Sequence, residues 1–158
     1  MKQYSLFGIK PDVFADATQK REAGSELKLE LPEPEVFIQE VKNNLLQAWF
    51  EILDERKYFP SKEIAGQHYK EHFWVFTNGY AESKFDFFVN FMTSWPSYWI
   101  VFYWDDAIVR GRSILKEIRN KYLATPQLAR CNMTHASDNE AWALEEITLH
   151  FPNFIFNK

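Results

Sequence analysis

The chain has 158 residues, 46% of them apolar and 25% charged, with a formal charge of -4. That size and balance suit one globular domain over 1–158 and exclude a disordered chain or two domains of ordinary size. The negative charge excludes a broad basic face for extended nucleic acid but leaves small anionic ligands, which need only a few cations in one pocket.

Met1 to Lys10 lacks the basic, apolar and small-residue pattern of a leader, so a cytoplasmic protein is the expectation. The single cysteine, Cys131, excludes an internal disulfide or a cysteine-rich zinc framework and reads as a small buried apolar residue. Aromatic residues crowd into Phe85 to Trp104, but Asp86, Asn90 and Pro96 interrupt that stretch, so it does not read as a membrane span.

In chain order, Tyr4 to Ile9 alternates as a short strand that ends before Pro11. Val13 to Glu35 is charged and broken by Gly24, Pro32 and Pro34, a long excursion with a small hairpin expected around Leu27 to Leu31. Phe37, Val41, Leu45 and Ala48 recur at helical spacing and predict a helix over Glu35 to Ala48. Trp49 to Leu53 follows as a strand or an extension of that helix. Pro60 and Ser61 open a second helix through His68 and Tyr69, with Ser61 as its cap.

His72 to Lys84 shows no period. Tyr98 to Trp104 reads as a buried strand. Ile114, Leu115, Ile118 and Tyr122 mark a third helix that stops before Pro126. Cys131 to His135 is a last short strand, followed by a helix through Ile147 capped by Ser137 or Asp138. The order β, α, β, α, β, α, β, α predicts a layered α/β domain, a sheet with helices on it.

Two chemistries compete for the four histidines, His68, His72, His135 and His150. His68, Glu71 and His72 spell H-x-x-E-H, the pattern of inverted zinc peptidases, with Glu145 or Glu146 as a distant third ligand. Three fixed positions are few in a chain this rich in glutamate, so a polar helix end is the preferred reading. His135 lies at a strand end with a helix N-terminus expected directly after it, a favourable place for a phosphate. Taken by itself, it reads first as a structural residue.

Seven short pieces, in order along the chain, then resemble the nucleoside diphosphate kinase family. Phe7 to Asp12 resembles its opening I-K-P-D, and His68-Tyr69 its H-Y. Phe91 to Pro96 is similar to Y-M-x-S-G-P, Gly111-Arg112 to G-R, and Ile118-Arg119 to I-R. Asn132 to Asp138 fits N-x-x-H-G-S-D with Ala136 for glycine, and Glu146-Ile147 falls where that family has E-I.

The resemblance implies a ferredoxin-like four-stranded antiparallel sheet covered by helices. It implies transfer of the γ-phosphoryl of a nucleoside triphosphate to a diphosphate through a phosphohistidine at His135, oriented by Glu146. Lys10, Tyr69, Arg112 and Arg119 would contact phosphate, Asn132 the ribose, and Phe85 the base. Mg²⁺ would arrive on the nucleotide, with no protein metal cage. Arg112 and Arg119 are only seven positions apart, so the family's loop between G-R and I-R is largely missing. A dimer, or another homo-oligomer smaller than the usual hexamer, is therefore expected. The alternative is a nucleotide-binding or interaction module of the same fold with weak or no turnover.

Overall fold

A computed structural model describes residues 1–15, 27–70, 81–124 and 132–157. Four strands form one antiparallel sheet in the order β2-β3-β1-β4: β1 (Lys2–Ile9), β2 (Glu51–Tyr58), β3 (Ser97–Asp105) and β4 (Thr134–Ala136). Among the described residues the α-helices are α1 (Pro34–Gln47), α2 (Lys62–His68), α3 (Ala81–Ser94), α4 (Ala107–Tyr122) and α5 (Glu140–His150). This is the ferredoxin-like arrangement expected.

Helices cover both faces of the sheet, and the alternation of side chains along the central strands shows why. On β1 and β3, Phe7, Ile9, Ile100 and Phe102 pack with Phe37, Val41 and Leu45 of α1 and Ile114 and Ile118 of α4. Leu6, Trp99, Val101 and Tyr103 point the other way, toward Ala65, Phe88, Met92 and Ile147 of α2, α3 and α5. A strand buried on both sides loses its polar alternation, which accounts for the unbroken apolar run of β3.

Two glycines allow the layers to approach. A Cβ on Gly8 would lie 2.4 Å from the Trp99 ring, and one on Gly111 would lie 2.7 Å from the Phe102 ring. Gly8 is also the register partner of both Trp99 and His135, so this close approach sits at the centre of the sheet.

The structure corrects several sequence expectations. The first helix stops at Gln47 because Trp49 turns through φ 63, and the next strand starts at Glu51 and runs to Tyr58 with an irregularity between Ile52 and Asp54. Ala81–Ser94 is a helix that had not been expected. The Leu27 to Leu31 piece forms no hairpin of its own: Leu27 bridges Leu123, and Lys28 N–H donates to the Tyr122 carbonyl at 2.6 Å. Ser61 caps α2 as expected, accepting from Ile64 N–H at 3.2 Å. The cap of α5 is Asn139, which accepts from Trp142 N–H at 2.9 Å, and not Ser137 or Asp138. Among the described residues, no helix is long and apolar enough to cross a membrane.

Candidate active site

β4 is only three residues long, and its ties to the far end of the chain position His135. Lys10 N–H donates to the Met133 carbonyl at 2.7 Å, and Met133 N–H donates to Asp12 Oδ2 at 2.7 Å. Pro11 starts a 3-10 turn over Pro11–Val13, which brings the Asp12 carboxyl back under the strand. Burial pushes the Asp12 carboxyl above its usual range, and the neighbouring Lys10 charge opposes that shift. Met133 holds φ 63, a strained value for a residue with a side chain, two positions before His135.

His135 Nε2 lies 3.0 Å from Glu146 Oε1. The second Glu146 oxygen accepts from Ser137 Oγ at 2.5 Å, and Ser137 Oγ in turn accepts from Leu6 N–H at 3.2 Å. A carboxylate accepts on both oxygens, so Nε2 carries the imidazole proton and Nδ1 carries the lone pair. The ring is thereby fixed in orientation and tautomer from one side.

Each of the cations expected from the sequence bonds a residue within three positions of this histidine: Lys10 bonds Asn132, Arg119 bonds Thr134 and Arg112 bonds Asp138. Lys10 is buried, with Nζ donating to Asn132 Oδ1 at 2.7 Å and standing 5.8 Å from the Tyr69 ring centre. The Tyr69 ring is 6.2 Å from that of His135, and burial pushes the Tyr69 hydroxyl pKa up. Arg112 and Arg119 lie on α4, which runs through both without a break and leaves no loop between them. Arg119 Nη2 donates to the Thr134 carbonyl at 2.5 Å, and burial lowers its pKa to about 10. Arg112 pairs with Asp138. Phe85 is on α3, partly buried against the cluster that holds Tyr69 and Phe88.

One electrostatic expectation changes. No helix N-terminus follows His135 at once; α5 begins at Glu140, with Asp138 and Glu140 beside it, acidic groups that disfavour an anion there.

The structure brings His68 and His150 to this histidine, and it corrects the reading of His68 as a polar helix end, because the His68 side chain is buried with its ring 4.4 Å from that of His135. His68 is fully buried, with Nδ1 2.9 Å from His150 Nε2 and Nε2 3.8 Å from Glu146 Oε1. His150 stacks on Trp99 at 3.8 Å and is bonded through Nδ1 to the Tyr58 hydroxyl at 2.6 Å. Burial lowers the His150 pKa to about 3 and holds that of His68 well below its usual value, so both rings are neutral near pH 7. The apolar flanks of His150, Leu149 and Phe151, were the one sequence hint that it is an interior residue. Glu71, His72 and Cys131 lie outside the described residues.

A ferredoxin-like α+β domain with a carboxylate-oriented histidine among cations defines the class. Residues 34–155 match the model of the nucleoside diphosphate kinase family. The chain belongs to that family.

Two relatives are named nucleoside diphosphate kinase. One, from Acanthamoeba polyphaga mimivirus, is 35% identical over 94 residues, covering 58% of this chain and 64% of its own length. The other, from Bacillus licheniformis, is 35% identical over 99 residues, covering 58% of this chain and 62% of its own length. The chain thus spans less than two thirds of the curated relatives it matches.

Among solved structures, the Aquifex aeolicus nucleoside diphosphate kinase is 23% identical with a TM-score of 0.63, covering 96% of each chain. The Halobacterium salinarum nucleoside diphosphate kinase in complex with CDP is 20% identical with a TM-score of 0.67, covering 100% of this chain and 95% of its own. These two likenesses establish the shared fold. Lys10 and Asp12 precede the residues matched by the family model.

Proposed function

We propose that this chain transfers the terminal phosphoryl group of a nucleoside triphosphate to a nucleoside diphosphate through His135. The observation that carries this reading is the His135 Nε2 to Glu146 Oε1 contact, with Glu146 held in turn by Ser137. It leaves Nδ1 as the nucleophilic atom and Glu146 as its positioning group.

In the first half-reaction Nδ1 attacks the γ-phosphorus, a P–N bond forms, and the bond from phosphorus to the bridging oxygen breaks. The diphosphate leaves with that electron pair. In the second, a terminal oxygen of another diphosphate attacks the phosphorus, and the P–N bond returns its electrons to Nδ1. Kinetics are ping-pong.

Such transfer asks the protein mainly for position and charge. Lys10, Arg112 and Arg119 meet the phosphate oxygens, Tyr69 contacts the same group, Asn132 takes the ribose, and Phe85 stacks on the base. Arg112 exchanges its pairing with Asp138 for phosphate. Mg²⁺ favours oxygen ligands, and the metal-capable group among the described residues, His68, His135 and Glu146, is rich in nitrogen. The residues therefore do not fit a resident Mg²⁺, and the ion comes on the nucleotide. The chain works as one domain over 1–158, in the cytoplasm, and assembles as a dimer.

The experiment is incubation with ATP and Mg²⁺. A phosphoenzyme stable in base and lost in acid, together with triphosphate formation from a diphosphate, is expected. The unbroken α4, without the loop the family carries there, favours the second reading, a nucleotide-binding module with little turnover. Nucleotide binding without a phosphoenzyme would decide for it.

A further inference from the structure

Behind His135, on the side away from the attacking nitrogen, lies a small cavity of about 70 Å³. His68, His135 and Glu146 line its floor, and the exposed Lys70, Glu145 and Trp142 lie nearer the surface. His68 Nε2 is fully buried and, among the described residues, has no hydrogen-bond partner. It faces Glu146 Oε1 at 3.8 Å, too far for a hydrogen bond.

The ligating atoms of His68, His135 and Glu146 all lie within 4.8 Å of one another. Two imidazoles and one carboxylate are the donor set of open zinc sites, whose bonds are about 2.0–2.2 Å. His150 already bonds the other nitrogen of His68, as the orienting partner of a metal-bound histidine does.

We propose that this cavity is an inhibitory site for Zn²⁺, held by His68 Nε2, His135 Nε2 and Glu146 Oε1. The inference of inhibition rests on the proposed role of His135, whereas the binding does not. On binding, Zn²⁺ takes the Nε2 lone pair of His135, and the proton of the neutral ring moves through water from Nε2 to Nδ1. The ring keeps one N–H, and no net proton is released. Nδ1 then bears a hydrogen where it needs a lone pair, so it does not attack phosphorus. The fourth position is left for a water in the cavity. The ion reaches the site past Lys70 and Glu145 without crossing the face that takes phosphate.

The test uses the full chain, stripped of metal and free of nucleotide. Calorimetry with Zn²⁺ alone should give one site per chain, and Co²⁺ in its place should give the visible absorption of a low-coordinate site. Nitrogen-15 spectra of the imidazoles should show the His135 proton moving to Nδ1. H68Q should abolish the Co²⁺ spectrum, and H150F, which removes the orienting partner and leaves all three ligands in place, should weaken Zn²⁺ about 10–100-fold.

Unchanged Zn²⁺ affinity in both H68Q and H150F, or an unmoved His135 proton at saturation, overturns the proposal. Binding as described in a protein that forms no phosphohistidine upholds the site and removes the phosphotransfer reading. A phosphohistidine in a protein that does not bind Zn²⁺ here does the reverse.

Discussion

Ser137 donates its hydroxyl to Glu146 at 2.5 Å while accepting the Leu6 amide at 3.2 Å, so one small side chain joins the central strand to the carboxylate bonded to His135. The Ser137 amide also donates to the Leu6 carbonyl at 3.2 Å, which extends the sheet one residue past β4. Orientation of His135 is thus an extension of sheet pairing and does not depend on a mobile loop.

Ser137→Ala removes an acceptor from a buried amide and a donor from a buried carboxylate. Leaving such groups unpaired costs about 1–3 kcal/mol. Urea melts should show a loss of that size, and single-turnover labelling with ATP should slow about tenfold or more, because Glu146 is then free to rotate. Wild-type labelling in this variant would exclude the orienting role.

His135→Ala and His135→Gln should remove the phosphoenzyme and lower turnover by about a thousandfold or more, as loss of a nucleophile does. Nucleotide binding through Lys10, Arg112 and Arg119 should persist, measured by calorimetry with a diphosphate. A label that maps instead to His68 would refute the assignment.

Gly8→Ala places a methyl group against the Trp99 ring, which is stacked on His150 and has no room to move. Overpacking of this kind costs about 1–3 kcal/mol. Thermal melts followed by circular dichroism should show the loss, whereas Gly66→Ala, where nothing lies within 4 Å of the new methyl, should not.

His68 and His150 make stability fall in acid. Their folded pKa values are depressed, His150 to about 3, so the unfolded chain takes up protons below about pH 6.5 that the fold resists. Stability is present above that pH and is lost as pH falls toward 3, with a slope of up to about 1.4 kcal/mol per pH unit for each histidine. Asp12 acts in the opposite sense, since its raised pKa returns stability as pH falls through it. With two groups against one, urea midpoints measured in chelator should fall between pH 6.5 and 4, and less steeply in a His150→Phe variant.

What the sequence made legible were features set by local chemistry. Pro11 ended the first strand, Ser61 capped α2, and the β-branched and aromatic run before Asp105 was a buried strand. The residues of Asn132 to Asp138 and Glu146 could be read by resemblance. The helix α3 was hidden although Phe85, Phe88, Val89 and Met92 follow helical spacing, because Phe87 and Phe91 make its other face apolar too and erase the contrast. The roles of His68 and His150 depend on a contact between residues 82 positions apart, which no local pattern records. Asn139 was masked as a cap by Ser137 and Asp138 just before it, which form tertiary contacts instead.

The shortness of β4 sets how this protein fails on warming. Its three register pairs with β1 are few beside the eight between β1 and β3, and the ties from Asp12, Lys10, Arg119 and Ser137 stand in for missing ladder bonds. A strand held this way frays as a unit while the rest of the sheet stays paired. Heat should therefore silence the proposed phosphotransfer several degrees before the circular dichroism transition, and Asp12→Ala, which removes a tie buried beneath the strand, should widen that interval.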